Sequence, residues 1–371
     1  MAEKGRTQRE VRNELDDLAQ RIKGLALSVG FDLAGVAPAV STPETPYLRE
    51  WLAQGYGGSM GYLERRCEER VDPRKVLEGA QSIVAVGLVY AANNSDGQAE
   101  SDSADAVSRG RISRYARGAD YHEVMIERLR SLETAIEALV EGPVSLRSYV
   151  DTGPVQERVF AAYGGLGWIG KNTCLIHPRL GSYLFLGVLL TDLDLAPDVR
   201  GPDHCGTCRA CLDACPTDAF VAPYQLDATR CIAYSTIEDR GPIPVEQRAE
   251  HSDRMFGCDI CQEVCPWNQH KRPAPPDTGG MREQLEARPE WVQPSLHWVL
   301  GLTPESWKGA AVRTALRRSR YQGLIRNALV VAGNVGDPSL RTLIEGHASG
   351  QDALLAEHAA WALEEWRRRG L

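Results

Sequence analysis

Hydrophobic residues recur at intervals of 4, 3, 4 and 3 from Met125 through Leu129, Leu132 and Ile136 to Leu139, the period of one amphipathic helix face. Asp120 and Glu123 predict a capping box at its start, and Gly142-Pro143 its end. The charged stretch Met1 to Asp32 carries Leu15, Leu18, Ile22, Leu25 and Leu27 in a similar helical pattern. Strand signals alternate with these helices. Ser82 to Tyr90 is an uninterrupted buried-strand run, Val144 to Val150 a short strand delivering Asp151, and Tyr183 to Thr191 a central strand. A polar loop is expected from Asn93 to Ser108. These elements predict a mixed α/β unit with one main sheet over residues 1–195.

Periodicity then fails. Residues 196–275 are punctuated by Pro and Gly, and a proline-rich stretch from Arg272 to Gly280 marks a boundary. Residues 281–371 turn helical again, with Gly323 to Val335 and Leu354 to Trp366 reading as a pair of repeat helices broken at Gly333 and at Asp337-Pro338. The whole is an α+β multidomain chain, and 371 residues accommodate two or three domains.

At 43% hydrophobic and 25% charged, the composition is that of an ordinary globular protein. No run reaches the roughly 18–20 apolar residues of a membrane span, and no secretory or twin-arginine leader is legible, so a cytoplasmic protein without a membrane partner is expected. A monomer is expected too, since no heptad pattern is present. The net charge of −8 does not advertise nucleic acid, with one local exception. Between Glu305 and Asp337 all charged residues are basic: Lys308, Arg313, Arg317, Arg318, Arg320 and Arg326. In a helix, Arg313, Arg317 and Arg320 would share a face, either solvated or phosphate-binding.

The cysteines carry the strongest chemistry. Cys205, Cys208, Cys211 and Cys215 run C-x2-C-x2-C-x3-C followed by Pro216, and Cys258, Cys261 and Cys265 with Pro266 repeat that run one thiol short. Cys231, between the runs, supplies the eighth thiolate that two [4Fe–4S] clusters need. In this bacterial ferredoxin pattern the last cysteine of each run ligates the other cluster. One set is therefore Cys205, Cys208, Cys211 and Cys265, and the other Cys215, Cys231, Cys258 and Cys261. A zinc ribbon would need two CxxC pairs, and disulfides belong to small secreted chains.

Three tempting motifs fail on context. Gly165 to Gly170 matches GxGxxG, but a helix precedes it and a strand follows, the reverse of a dinucleotide site. The same glycines with Lys171 approach a P-loop, yet Asn172 stands where Ser or Thr must hold magnesium. This segment reads as a turn where backbone approaches something large. Asp120-Tyr121-His122 opens like a cobalamin DxHxxG motif, but Met125 replaces the glycine, so a histidine-ligated cobalt is not expected. Cys67 and Cys174, outside the cluster sets, read as inert small hydrophobes.

Two clusters imply one-electron transfer, and nearly 200 residues precede them, ample for an electron acceptor's site. Here the chain resembles the epoxyqueuosine reductase family, through Arg114–His122, Asp151–Arg158, Gly165–Thr173, Gly181–Gly187, Cys231–Tyr234 and Gly257–Asn268. The resemblance runs from about residue 20 to the end. It implies reduction of epoxyqueuosine to queuosine at the tRNA wobble position, with electrons from an external donor such as flavodoxin or ferredoxin. It also implies base-off cobalamin in an α/β domain similar to that of reductive dehalogenases, then the two-cluster module and a C-terminal HEAT-like repeat. By position, Asp151 matches the proton donor. Arg70, Tyr115, Asp151, Gln156, Glu157, Arg158, Leu175, Pro178, Ala233, Cys258 and Asp259 match cobalamin contacts, Ala233 standing where the family commonly has serine. Arg240, with the basic Arg313, Arg317 and Arg320, is expected at tRNA.

Opening an epoxide without leaving a costly alkoxide requires a proton as the C–O bond breaks, so burial is expected to raise the Asp151 pKa. Two alternatives remain at this level: a reductive dehalogenase, usually exported behind a twin-arginine leader, and a ferredoxin-type electron carrier with no substrate of its own.

Overall fold

The computed structural model describes residues 8–90 and 108–371. The expected loop from Asn93 lies outside the described residues, apart from its last member, Ser108. Four strands form the main sheet: β1 (Leu33–Pro38), β2 (Ser82–Val89), β3 (Leu146–Tyr149) and β4 (Leu184–Thr191). Their order is β1-β2-β4-β3 and every pairing is antiparallel. The single expected sheet is present, but not with the parallel pairing that an alternating α/β chain favours.

All eight residues of β2 are buried. Val84, Val86 and Leu88 face α1 (Gln8–Ser28) and α2 (Tyr121–Leu139), while Ile83 packs with Phe160 and Ala85 with Ala161 of α3 (Glu157–Tyr163) on the other face. Coverage on both faces explains why β2 reads as a continuous apolar run despite being antiparallel. In α1 the buried stripe is Ala19, Ile22 and Ala26, and Leu27 is exposed. On α2, Met125, Leu129, Leu132 and Ile136 are all fully buried, as their spacing predicts.

The start of α2 departs from the expected capping box. Asp120 caps it, its Oδ1 accepting the His122 N–H at 3.1 Å. Glu123 does not reach back to the cap; its Oε2 pairs instead with Arg313 Nε at 2.8 Å. The Asp120 N–H that a capping box would satisfy goes to the Arg313 carbonyl, also at 2.8 Å. A distant residue has taken both roles of a local motif.

The C-terminal region is built on a buried helix, α4 (Arg320–Val335), whose residues from Gly323 to Gly333 are all buried. Beside it lie α5 (Arg341–Ala348), which the pattern reading missed, and α6 (Ala353–Arg368). Gly333 does not break the helix. A Cβ there would stand 2.6 Å from the Trp361 ring, so glycine lets α6 approach, and α4 ends at Gly336 in the left-handed conformation. The same core takes in Ile112, Ala116, Met255 and Phe256 from earlier segments. Among the described residues no helix is long and apolar enough to cross a membrane.

Candidate active site

Between the sheet, the cysteine segment and the start of the C-terminal region lies a cavity of about 1390 Å³. That exceeds the roughly 300–1,000 Å³ of most small-molecule sites. Its wall joins the end of β3 (Asp151, Thr152), the starts of α2 and α3, the Trp168–Ile169 strand, and Arg317 and Arg318.

Asp151 follows β3 with φ of 57°, a left-handed conformation that costs a non-glycine residue energy and recurs at functional sites. Its side chain is 69% exposed because it faces the cavity. Asp151 Oδ2 accepts from the Tyr121 hydroxyl at 3.2 Å and lies 3.4 Å from His122 Nε2. The other ring nitrogen, His122 Nδ1, is 2.6 Å from Asp120 Oδ1. Tyr121 is held by near-parallel stacking on Phe185 of β4, ring centroids 4.2 Å apart. One helix start thus presents a histidine bridging two carboxylates.

The electrostatics correct the expectation for Asp151. Desolvation pushes its carboxyl up, but the His122 hydrogen bond and charge, the Tyr121 hydroxyl and Arg158 outweigh it, and the pKa falls below the ordinary value. Burial works against a charged His122, yet Asp120 and Asp151 prevail and raise it to about 9. Near neutrality the proton of this group therefore resides on the imidazole. Glu157, pushed up to about 7 by burial and then by the charge of Asp151, is a second proton-bearing group in the wall.

Several expected cofactor residues meet here. Arg70, Tyr115, Gln156, Glu157 and Arg158 line the cavity with Asp151. Arg70 donates to the Gly153 carbonyl at 3.3 Å, Gln156 to that of Arg70 at 3.0 Å and Arg158 to that of Thr173 at 2.7 Å. Arg70 Nε and Glu157 Oε1 are buried without a hydrogen-bond partner among the described residues, as polar atoms reserved for a ligand would be. Others stand elsewhere. Leu175 is buried behind the wall, paired with Ile169, and Pro178 is exposed. Ala233 and Cys258 are half-buried outside the lining, and Asp259 is buried, accepting the Arg114 N–H at 2.8 Å.

The basic run does not form the expected helical face. Arg313 and Arg320 have φ of 52° and 61°, with a five-residue 3-10 segment, Ala315–Ser319, between them. Of the expected tRNA residues, Arg317 reaches the cavity wall. Arg313 is committed to Glu123, and Arg240 donates to the carbonyls of Ile237 and Arg318. Arg318, hidden by the helical assumption, lines the cavity, holds Glu238 through two bonds of 3.0 and 2.7 Å and lies over the Tyr62 ring. Arg326 is fully buried, donating to the carbonyls of Ser235, Asp239 and Gly241.

Cys205, Cys208, Cys211 and Cys265 line one small cavity, the crossed-over set that the spacing predicts. Burial and the neighbouring thiols Cys205 and Cys265 push Cys211 up to about 11, so four thiolates there call for a cationic centre. In the second set, burial with a contribution from Cys231 raises Cys258 to about 12; Cys174 and then burial raise Cys261, with Cys258 and Cys231 adding to it, and burial raises Cys231, with Cys215 contributing. Among the described residues no three His, Cys, Asp or Glu could hold a single metal ion. Thiolates spread around a cubane are not so constrained. Cys174, expected to be an inert small hydrophobe, neighbours Cys261, whose influence lowers the Cys174 pKa. Buried Asn268 accepts the Ser182 N–H at 2.7 Å and donates to the Gln262 carbonyl at 2.8 Å. It lies so near Gly181 that a Cβ there would sit 2.1 Å from Asn268 Oδ1.

Residues 204–268 match the family of 4Fe-4S double cluster binding domains, and residues 70–152 match "Epoxyqueuosine reductase QueG, DUF1730". An epoxyqueuosine reductase of Xanthomonas campestris pv. campestris is 37% identical over 354 residues, 94% of this chain and 96% of its own. That of Escherichia coli K12 is 35% identical over 353 residues, 95% of this chain and 90% of its own. A crystal structure of epoxyqueuosine reductase with an epoxyqueuosine-modified tRNA-Tyr stem loop superposes with a TM-score of 0.86 at 31% identity, covering 94% of this chain and 90% of that one. A Bacillus subtilis epoxyqueuosine reductase, its catalytic aspartate loop swung out of the active site, gives 0.85 at 30% identity with the same coverage.

Proposed function

Because the chain belongs to the epoxyqueuosine reductase family, a family of oxidoreductases, we propose that it reduces epoxyqueuosine to queuosine in a tRNA anticodon. The observation that carries this is the Asp120–His122–Asp151 network facing a cavity of about 1390 Å³, in a chain where Cys205, Cys208, Cys211 and Cys265 share a second, smaller cavity. A relative crystallised with the modified stem loop supports tRNA as substrate.

Cobalamin fits the cavity by size and by Arg70 Nε and Glu157 Oε1, buried without a partner among the described residues. Arg70, Tyr115, Gln156, Glu157 and Arg158 would hold it, with Leu175, Pro178, Ala233, Cys258 and Asp259 standing outside the wall. Both ring nitrogens of His122 are engaged by carboxylates, which supports a cofactor, read here as base-off, that takes no ligand from His122. When bound, it supplies the low-potential reduction that cleaves the carbon–oxygen bonds.

Loss of the epoxide oxygen as water consumes two electrons, which reach the site one at a time through the cysteine-held clusters, and two protons, one from the His122–Asp151 pair and one from bulk solvent. His122 Nε2–H hands its proton to Asp151 Oδ2, which delivers it to the oxygen as negative charge develops there. Asp151 is thus the proton donor to substrate, and His122 its reservoir. Arg317 and Arg318 on the cavity wall, with Arg240 behind Arg318, meet the anionic stem loop, and the C-terminal helices form a HEAT-like layer behind them. The Cys205 and Cys215 sets carry single electrons from an external donor of the flavodoxin or ferredoxin kind. Turnover of epoxyqueuosine-containing tRNA by protein loaded with iron and corrinoid tests this reading. Loaded protein that leaves the epoxide intact would overturn it, and protein that binds iron but no corrinoid would be an electron carrier.

A further inference from the structure

The glycine-rich segment that fails as a nucleotide motif is a hairpin, Trp168 paired with Ile176 and Ile169 with Leu175. Its tip is closed by Gly170 N–H donating to the Cys174 carbonyl at 2.8 Å, with Thr173 left-handed at φ 63°. This small element touches every site described above. Trp168, Ile169 and Thr173 line the large cavity, while Lys171 and Asn172 line the Cys205–Cys208–Cys211–Cys265 site. Lys171 Nζ donates to the carbonyls of Gly206 at 2.6 Å and Cys208 at 2.9 Å. Buried Asn172 donates to the carbonyl of Cys261, a member of the other thiol set, at 3.2 Å, and accepts the Cys174 N–H at 3.2 Å.

We infer that Lys171 tunes the first cluster, its ammonium raising the reduction potential of the group held by Cys205, Cys208, Cys211 and Cys265, while Asn172 fixes the second loop to the same tip. The inference rests on the reading of two cluster sites. A reduced cluster carries one more negative charge than the oxidised one, so a cation clamped to its loop favours reduction. Lys171 reaches the Cys205–Cys208 loop and not the Cys258–Cys261 loop, which makes the effect selective.

The test is a redox titration of anaerobically reconstituted protein, followed by electron paramagnetic resonance, with iron content measured in parallel. In Lys171→Gln the first cluster's midpoint moves to more negative potential while the second stays, and Lys171→Arg restores the native value. Unchanged midpoints in Lys171→Gln, equal shifts of both clusters, a shift in Lys171→Arg as large as in Lys171→Gln, or loss of first-site iron from Lys171→Gln would each overturn it. Failure of the native protein to take up iron at both sites is a different result and would sink the cluster reading itself.

Discussion

His122 Nε2 stands 3.4 Å from Asp151 Oδ2, close enough for one proton to serve both side chains. The imidazole is the stronger base here, because carboxylates engage both of its nitrogens while the Asp151 carboxyl is held low. Asp151→Asn removes the delivering carboxylate while preserving its size. Turnover of modified tRNA is expected to fall by about 10²–10⁴-fold, the usual contribution of a positioned acid. Cluster and corrinoid content should stay native, and near-native turnover would refute the role.

A pH profile addresses the reservoir. The folded His122 value of about 9 lies above its ordinary 6.5, so its stabilising contribution is complete below about 6.5 and lost as pH rises through about 9. Single-turnover rates are expected to decline over the same upper range. In His122→Gln that limb should disappear from an already lower rate; a limb unchanged in the variant would assign it to another group.

Glu157 offers a measurement on cofactor-free protein. Its folded value of about 7 exceeds the ordinary 4.5, so the proton it retains on folding favours the native state at low pH, and that benefit is lost as pH rises through about 7. Glu157→Gln should therefore raise the melting temperature at pH 8, by on the order of 1–3 kcal/mol of stability, and do little at pH 4. Equal effects at both pH values would count against a strained, buried carboxylate.

The basic residues separate into two kinds. Arg317→Glu is expected to weaken tRNA binding and to flatten its salt dependence, by roughly 0.7–0.9 in the log–log slope for each phosphate no longer neutralised. Filter binding across a salt series reads this, and an unchanged slope would make Arg317 a solvated charge. Arg326→Met should instead cost about 3 kcal/mol or more in urea unfolding, because carbonyls of Ser235, Asp239 and Gly241 lose their donor in the interior. A loss within a few tenths of a kcal/mol would contradict that structural role.

Gly181→Ala probes the brace behind the second cysteine run. Its φ of 75° and the 2.1 Å approach to Asn268 Oδ1 leave no room for a methyl group. Iron retention after anaerobic desalting is expected to drop, and full retention of both clusters would show the brace to be dispensable.

Spacing along the chain was enough to place the buried strands and the apolar face of α2, because each depends on a short-range period, while the cysteine sets follow from a ligand count that the sequence alone supplies. Even the crossover of Cys265 to the first set follows from that arithmetic, and those four thiols do share one cavity. Contacts between distant segments escape such periods. Arg313 satisfies both groups that a local capping box would have joined, Gly333 serves helix approach rather than helix ending, and two left-handed residues break the basic face. The protonation of Asp151 is the sharpest case. Burial alone, which a sequence suggests, points its pKa upward, but the fold sets His122 and Tyr121 against it, and hydrogen bonds at 3.4 and 3.2 Å reverse the sign.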